Sequence, residues 1–224
     1  SFTASGDVNG MTVSYMQTSK DQFAGMSSAR LSIDMGDMGI LAFDQGSGSG
    51  LGTIDDKTPT AAEEIWDGID TDGSSGARGL VGAAGSSGVF NYIKSLGGVT
   101  LNAAMRRGSG TKNSDGGVSG AGQSAYDFAL TGSGDMFGVD GLSWGAGYGE
   151  AENGSQTVTA AHDENGDDEH MTGFVNYSYG PVTFGYQMSH IKKGASAGVD
   201  QNVDAWGLAW NINENLSLSY GERD

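Results

Sequence analysis

Short turns and long polar connections alternate along this chain, and between them lie short runs in which every second residue is apolar. Gly180-Pro181 joins the runs Phe174–Tyr179 and Val182–Ser189, whereas the next connection, Lys192–Asn202, is long and polar. Apolar residues at every second position indicate strands with one apolar face. Alternation of short and long connections is typical of an up-and-down barrel, in which all the short turns lie at one end.

The alternating pattern occurs twelve times. Within Ala125–Thr131, for example, Tyr126, Phe128 and Leu130 share one face, and Asp127 lies on the other. The predicted strands are Ser1–Ser5, Met11–Gln17, Ala29–Met35, Ile40–Gln45, Val89–Ser95, Val99–Arg106, Ala125–Thr131, Leu142–Tyr148, Phe174–Tyr179, Val182–Ser189, Ala205–Ile212 and Leu216–Tyr220.

Such strands can pack in two ways. In a soluble sandwich the apolar face packs against a second sheet, whereas in a membrane barrel it faces lipid and the other face lines water. Hydrophobic residues make up 37% of the chain, below the roughly 45–50% of globular domains, and a barrel with a wet lumen needs fewer of them. The fold class is therefore predicted to be all-β. We expect a transmembrane antiparallel up-and-down β-barrel that forms one domain over residues 1–224, with the soluble sandwich as the alternative.

Aromatic residues near the short turns favour the membrane interpretation. Amphipathic rings concentrate at the depth of the lipid headgroups, where they form a girdle around a barrel. A sandwich with Greek-key crossings gives no reason for the regular alternation of short and long connections. The residues predicted for this girdle are Tyr92, Trp144, Tyr177, Tyr179, Phe184 and Trp210.

Charge and composition exclude several classes of function. The chain has 28 Asp and Glu residues against 11 Lys and Arg, a formal net charge of −17, so nucleic acid is not an expected partner. Cysteine is absent, which excludes disulfides, thiolate zinc sites and cysteine nucleophiles. Neither the glycine-rich dinucleotide motif nor the P-loop motif occurs.

The longest connection, 46–88, carries most of the candidate functional residues. It contains a segment, Thr58–Asp67, in which Thr58 can cap a helix, Pro59 suits its first position and Glu63 and Glu64 follow in the early turns. If this connection folds into a barrel, its carboxylates face the polar inner wall, which carries Arg30 and Arg106. Opposed charges across a narrow passage create a field that orients polar solutes and hinders apolar ones.

These residues form the predicted pore constriction. The excess of acids predicts a preference for cations, and the alternative is that the connection is an ordinary solvated loop. The wall residues are Arg30 and Arg106, and the loop residues are Asp55, Asp56, Glu63, Glu64, Asp67 and Asp70.

An acidic connection, Glu150–His170, is a second candidate site because it is dense in oxygen ligands. It lacks the spacing of the twelve-residue calcium loop, so a solvated loop tip is the alternative to a divalent-cation site. No cofactor is required by this interpretation, and Ca²⁺ is the ion that could bind. The predicted ligands are Asp163, Glu164, Asp167, Asp168 and Glu169.

One catalytic pattern occurs, G-x-S-x-G at Gly141–Gly145 with Ser143 at its centre. A nucleophile elbow needs a strand before the serine and a helix after it. Here a turn precedes Ser143 and a strand follows, and further glycines at 147 and 149 do not suit a helix. We therefore predict no catalytic residue and no enzymatic activity.

The first 45 residues resemble the early strands of alphaproteobacterial general porins. The resemblance rests on the runs SFTASGDVNGMTVSYM and ARLSIDMGDMGILAF, and it extends more weakly through GVFNYIKSLGGVTLNAAM and FVNYSYGPVTFGYQMSH. It covers most strands but few of the connections. The turn motifs are moderately specific, and the glycine-rich loops contribute nothing to it.

This resemblance implies a homotrimeric outer-membrane barrel of sixteen strands whose long third loop folds inward to narrow the pore. If 46–88 is that loop, the twelve strands correspond to numbers two to thirteen. The chain is then expected to be incomplete at both ends, with one strand before Ser1 and about three after Asp224. Its location would be the outer membrane of a Gram-negative bacterium, in contact with lipid and lipopolysaccharide.

The predicted function is a porin that forms a passive water-filled channel for small hydrophilic solutes, with a weak preference for cations. The alternative is a secreted or surface-exposed glycine-rich β domain that binds divalent cations or acts as an adhesin. Dependence on detergent separates the two, because a barrel needs micelles and a secreted domain does not.

Overall fold

Twelve strands form one antiparallel sheet in which each strand pairs with its neighbours in sequence, in the order β1 to β12. The computed structural model describes residues 1–20, 25–46, 50–61, 84, 87–107, 124–151, 167–194 and 200–224. All twelve predicted strands are confirmed, and most are longer than predicted. Their bounds are β1 Phe2–Val8, β2 Met11–Ser19, β3 Met26–Asp34, β4 Ile40–Gln45, β5 Ser87–Leu96, β6 Val99–Arg106, β7 Ala125–Ser133, β8 Leu142–Ala151, β9 Asp168–Tyr179, β10 Val182–Lys192, β11 Gln201–Asn213 and β12 Leu216–Arg223.

The acidic connection is shorter than predicted, because both strands beside it continue into it. Glu150 pairs with Glu169, and Ala151 pairs with Asp168, so these residues belong to β8 and β9 rather than to a loop. The prediction that the connection covers Glu150–His170 was therefore wrong at both ends. The strands continue into the polar stretch because the antiparallel ladder supplies hydrogen-bond partners to the backbone N–H and C=O groups whatever the side chains are.

The tight turns fix the register of the hairpins. Asn9 and Gly10, between β1 and β2, both have positive φ, 55° and 80°. Gly97 and Gly98, between β5 and β6, have φ of 62° and 99°. Two central residues with positive φ are the requirement of a type I′ hairpin, whose twist matches that of the strands.

The two faces of the sheet are inverted relative to a soluble protein. One face, which we call the outer face, carries large apolar side chains that remain exposed: Phe90 is 51% and Met105 is 58% accessible. The opposite, inner face buries polar side chains, and Asn91 and Asp127 are only 0% and 2% accessible. A row of paired outer residues shows the pattern across four strands: Phe43, Phe90, Met105 and Tyr126.

The soluble sandwich is excluded by this arrangement. In a sandwich the apolar face would be buried against a second sheet, but the described strands form a single sheet and its apolar face is open. Exposed large apolar residues occur on ten of the twelve strands, so the apolar face is far larger than the patches of a few hundred Å² that are usual for a soluble monomer. The architecture is an up-and-down sheet that is open between β1 and β12, as in part of a barrel. In the described ranges no helix is long and apolar enough to cross a bilayer.

Aromatic residues on the outer face lie at both ends of the strands. Near the short turns, the Tyr92 hydroxyl donates to the Met38 carbonyl at 2.6 Å. Near the long connections, the structure adds a second group that the sequence analysis did not include. In that group tyrosine hydroxyls donate to side-chain oxygens, in the pairs Tyr15–Gln17, Tyr148–Glu150 and Tyr186–Asp204.

Candidate functional site

Residues 50–61 of the long connection lie across the inner face of the sheet. The first contacts are with β6 and β7, where the Gly50 amide donates to Asn102 Oδ1 at 2.8 Å and the Leu51 amide to Asp127 Oδ1 at 2.9 Å. The second oxygen of Asp127 accepts the amide of Ala84, near the other end of the connection, at 2.7 Å. One buried carboxylate therefore holds both ends of the insertion against the wall.

Further along, the segment is bonded to β9 and β10. Gln187 Nε2 donates to the carbonyls of Ile54 and Asp55 at 2.8 and 2.9 Å, and its Oε1 accepts the amide of Lys57 at 2.7 Å. Asn176 Nδ2 donates to the Lys57 carbonyl at 2.7 Å. Buried backbone groups need such partners, and here side chains of the wall supply them in place of a ladder.

Glycines on the inner face make room for the segment. A Cβ atom at Gly147 would collide with the Leu51 side chain, and one at Gly185 or Gly207 would collide with Pro59. Gly50 itself has φ of 55°, and a Cβ there would collide with the Asp127 carboxylate. The glycines therefore allow the backbone of the insertion to approach the wall closely.

An apolar anchor lies among these polar contacts. Leu51 and Ile54 are fully buried and pack with Ala129, and Phe174 and Ile191 contact the same cluster. Leu51 and Ile54 belong to a 3₁₀ helix, Gly50–Ile54, which the sequence analysis did not predict. Burying an aliphatic side chain of this size contributes roughly 1.5–3 kcal/mol, so the anchor and the hydrogen bonds both hold the insertion inward.

The helix predicted to start at Thr58 does not form in the described part of Thr58–Asp67. Residues 58–61 are irregular, because the backbone before them bonds to Gln187 and Asn176 and Pro59 packs on glycines of the wall. Residues 62–67 lie outside the described ranges.

Two of the predicted loop acids lie on this inward segment. Asp55 and Asp56 are half-buried, and Lys57 Nζ is 3.7 Å from Asp56 Oδ1. Burial, and the adjoining carboxyl of Asp56, raise the pKa of Asp55 to about 7. The other predicted loop acids, Glu63, Glu64, Asp67 and Asp70, lie outside the described residues.

Both predicted wall cations lie on the inner face. Arg30 of β3 is paired with Asp44 of β4, directly opposite in register, with 2.5 Å between Nη2 and Oδ2. Asp44 is buried and the Arg30 side chain is 25% accessible, so the guanidinium reaches the lumen while the carboxylate does not. Arg106 ends β6 and is half-buried.

The predicted cation ligands in the acidic connection are only partly described. Asp168 Oδ2 accepts from Lys193 Nζ at 2.7 Å, and Glu169 Oε1 accepts from Lys192 Nζ at 2.6 Å. Asp163 and Glu164 lie outside the described residues. Within the ranges that the structure covers, no group of three or more metal-ligating side chains is assembled.

Ser143 is the second residue of β8 and is exposed. The strand continues from it to Ala151, so the helix that a nucleophile elbow requires does not follow.

The residues that fix the insertion to the wall were not predicted as site residues. Asp127 was placed correctly on the polar face by alternation, but nothing local showed that it or Asn102 binds the insertion. Gln187 and Asn176 also occupy inner positions of their strands. The sequence signal for such a wall residue is a bulky polar or acidic side chain among small residues on the inner face. This pattern does not identify the segment that the residue binds.

Comparison with known proteins identifies the family of this chain. The family model for Gram-negative porins matches residues 1–224, which is the whole chain. No curated protein matches the chain. Among solved structures, the chain is similar to a triple mutant of the porin of Rhodobacter blastica, with 13% identity and a TM-score of 0.49 over 99% of this chain and 82% of that one. The match of the family model over its full length shows that this protein belongs to the Gram-negative porins, and it is therefore a channel protein of the outer membrane and not an enzyme.

Proposed function

We propose that this porin is a passive channel for small hydrophilic solutes, narrowed by the connection 46–88. The observation that carries the proposal is the path of residues 50–61, which cross the inner face from β6 to β11 and are hydrogen-bonded there to Asp127 and Gln187. A segment held across the inner face reduces the open cross-section. Porins generally need no cofactor, and none is needed for passive diffusion.

We propose a constriction with acids on one side and guanidinium groups on the other. Asp55 and Asp56 are on the inward segment, and Arg30 is on the wall with part of its side chain in the lumen. The net charge of −17 and the acids of the insertion favour cations in the pathway. The full proposed set is Arg30, Arg106, Asp55, Asp56, Glu63, Glu64, Asp67 and Asp70.

Cation preference is expected to depend on pH near neutrality. The pKa of Asp55 is raised to about 7 by burial and by Asp56, so this carboxyl is charged above pH 8 and neutral below pH 6. We expect the ratio of cation to anion permeability to fall as the pH is lowered from 8 to 6. The measurement is the reversal potential in a potassium chloride gradient across a planar bilayer.

Two variants serve as controls for this pH effect. Asp55→Asn should give a lower ratio at pH 8 that no longer changes between pH 8 and 6. Asp56→Asn removes the neighbouring carboxyl, so it should move the midpoint to lower pH. A wild-type channel that prefers anions, or whose ratio is flat across this range, would contradict the proposal.

We propose a weak divalent-cation site in the connection between β8 and β9, with the ligands Asp163, Glu164, Asp167, Asp168 and Glu169. Because Asp168 and Glu169 are paired with Lys193 and Lys192, Ca²⁺ must compete with two ammonium groups. We expect binding at roughly 10⁻⁴–10⁻³ M, the range of weak extracellular calcium sites. Isothermal titration calorimetry with Ca²⁺ should measure this affinity, and the double variant Lys192→Ala, Lys193→Ala should bind Ca²⁺ more tightly. If neither protein gives a heat of binding, the proposed site does not exist.

We also propose that the chain acts as a homotrimer in contact with lipid and lipopolysaccharide. Trimers and an outer-membrane location are typical of the family. Electrophoretic mobility of the protein before and after heating tests whether it forms a trimer. A single band at the monomer position in the unheated sample would argue against the trimer.

A further inference from the structure

The inner face of β1, β2 and β3 is lined by hydroxyl groups. All the contacts of the inward segment given above are with strands β6 to β11, which form the other half of the same inner face. A cavity of about 380 Å³ lies over β1–β3. We call this surface the hydroxyl wall, and its inward side chains are those of Thr3, Ser5, Ser14, Met16, Arg30 and Ser32.

Three of the serines form a row across the strands. Ser5 pairs with Ser14, and Ser14 pairs with Ser32, so the three are register neighbours on β1, β2 and β3. Neighbouring strands are about 4.8 Å apart, so the row spans roughly 10 Å. Thr3 and Arg30 flank Met16 in the adjacent row of the same face. The wall therefore offers one row of three hydroxyls across the strands, with a fourth, that of Thr3, beside Ser5 on β1.

These hydroxyls are not engaged by other protein groups. In the part of the chain that the structure describes, Thr3, Ser5, Ser14 and Ser32 make no hydrogen bond through their side chains. The pair Thr18 and Ser28, on the same two strands β2 and β3, shows the contrast, since these two hydroxyls bond to each other. Each free hydroxyl can donate one hydrogen bond and accept two.

The charge at this wall is balanced. Arg30 is the cation that borders the cavity, and the carboxylate of Asp44 already bonds to it. A guanidinium whose charge is paired with a carboxylate attracts anions less strongly than an unpaired one. Hydroxyl groups that both donate and accept match the hydroxyls of a polyol or a sugar better than they match a carboxylate.

We propose that the hydroxyl wall is a low-affinity subsite for small neutral polyhydroxylated solutes on their way through the pore. The inference rests on the proposed channel function and adds the class of solute that the channel favours. Replacement of a water by a solute hydroxyl keeps the hydrogen bonds of the wall, whereas an apolar solute of the same size leaves them unmade.

The test is the block of single-channel potassium chloride current by D-arabinose, with gluconate as an anionic polyol for comparison. In the triple variant Ser5→Ala, Ser14→Ala, Ser32→Ala we expect normal salt conductance, and an arabinose dissociation constant about tenfold higher because three hydrogen-bonding groups are lost. The matched control is Ser217→Ala, Ser219→Ala on the inner face of β12, which should leave arabinose block unchanged.

The outcomes separate the subsite from the channel. Normal salt conductance with unchanged arabinose block in the triple variant would overturn the subsite and leave the channel intact. Stronger block by gluconate, abolished by Arg30→Gln and not by the serine changes, would overturn the neutral-solute assignment in favour of an anion site. Absence of salt conductance in the wild-type protein would overturn the channel function and the subsite together.

Discussion

Replacing Asp127 by alanine is expected to release the insertion from the wall and to widen the pore. The Asp127 carboxylate is the acceptor for the amides of Leu51 and Ala84. A buried N–H that loses its acceptor costs about 1–3 kcal/mol, so the two together weaken the attachment by roughly 2–6 kcal/mol. We expect higher single-channel conductance in planar bilayers, and faster entry of larger sugars in liposome-swelling assays.

Two comparison variants test whether this result is specific to the attachment of the insertion. Asp127→Asn keeps one acceptor oxygen, so its conductance should lie between those of the wild type and the alanine variant. Asp7→Asn removes a carboxylate charge at the exposed end of β1, away from the insertion, and should leave the conductance nearly unchanged. A folded Asp127→Ala channel with wild-type conductance and the wild-type size limit would show that this carboxylate does not hold the constriction.

A charge on the outer face is expected to prevent insertion into membranes. Leu208 lies at the middle of β11 on the outer face, where it is 39% accessible and pairs with Phe184 and Tyr220. Arginine at the midplane of a lipid-facing barrel position costs about 2–4 kcal/mol. We therefore expect Leu208→Arg to refold poorly into lipid vesicles, with a lower urea midpoint than the wild type.

The neighbouring residue provides the control for this prediction. Ala209 lies on the inner face of the same strand, one position away, so the same arginine there would face the lumen. Ala209→Arg should fold as well as the wild type and should alter only conductance and ion preference. Equal tolerance of arginine at Leu208 and Ala209 would argue against a lipid-facing outer surface, because a partly exposed leucine of a soluble protein accepts such a change at little cost.

Alternation along the strands was sufficient to predict the sheet. A strand places successive side chains on opposite faces, so the pattern at Tyr126, Asp127 and Phe128 determines both the strand and the direction of each side chain. The same local rule identified Arg30 as an inner residue. It underestimated strand length at β8 and β9, because pairing continues through Glu150 and Glu169, where the polar composition resembles a loop.

The attachment of the insertion could not be predicted in this way. Leu51 bonds to a residue 76 positions away and Lys57 to one 130 positions away, and no local pattern encodes a contact of that separation. The resemblance to porins predicted that the connection folds inward, but it carried no information about which wall residues hold it. A signal was present in Gly147, Gly185 and Gly207, whose missing side chains mark the close approach of the insertion to the inner face.

The shared hold on Leu51 and Ala84 gives this porin a replaceable part. The two ends of the insertion, at Leu51 and Ala84, are hydrogen-bonded to the two oxygens of the same carboxylate, that of Asp127. Any sequence that connects these two ends therefore starts and finishes at the same place on the wall. If that stretch narrows the pore as proposed, evolution or a protein engineer can exchange it, and with it the size limit for solutes, without changing the register of any surrounding hairpin.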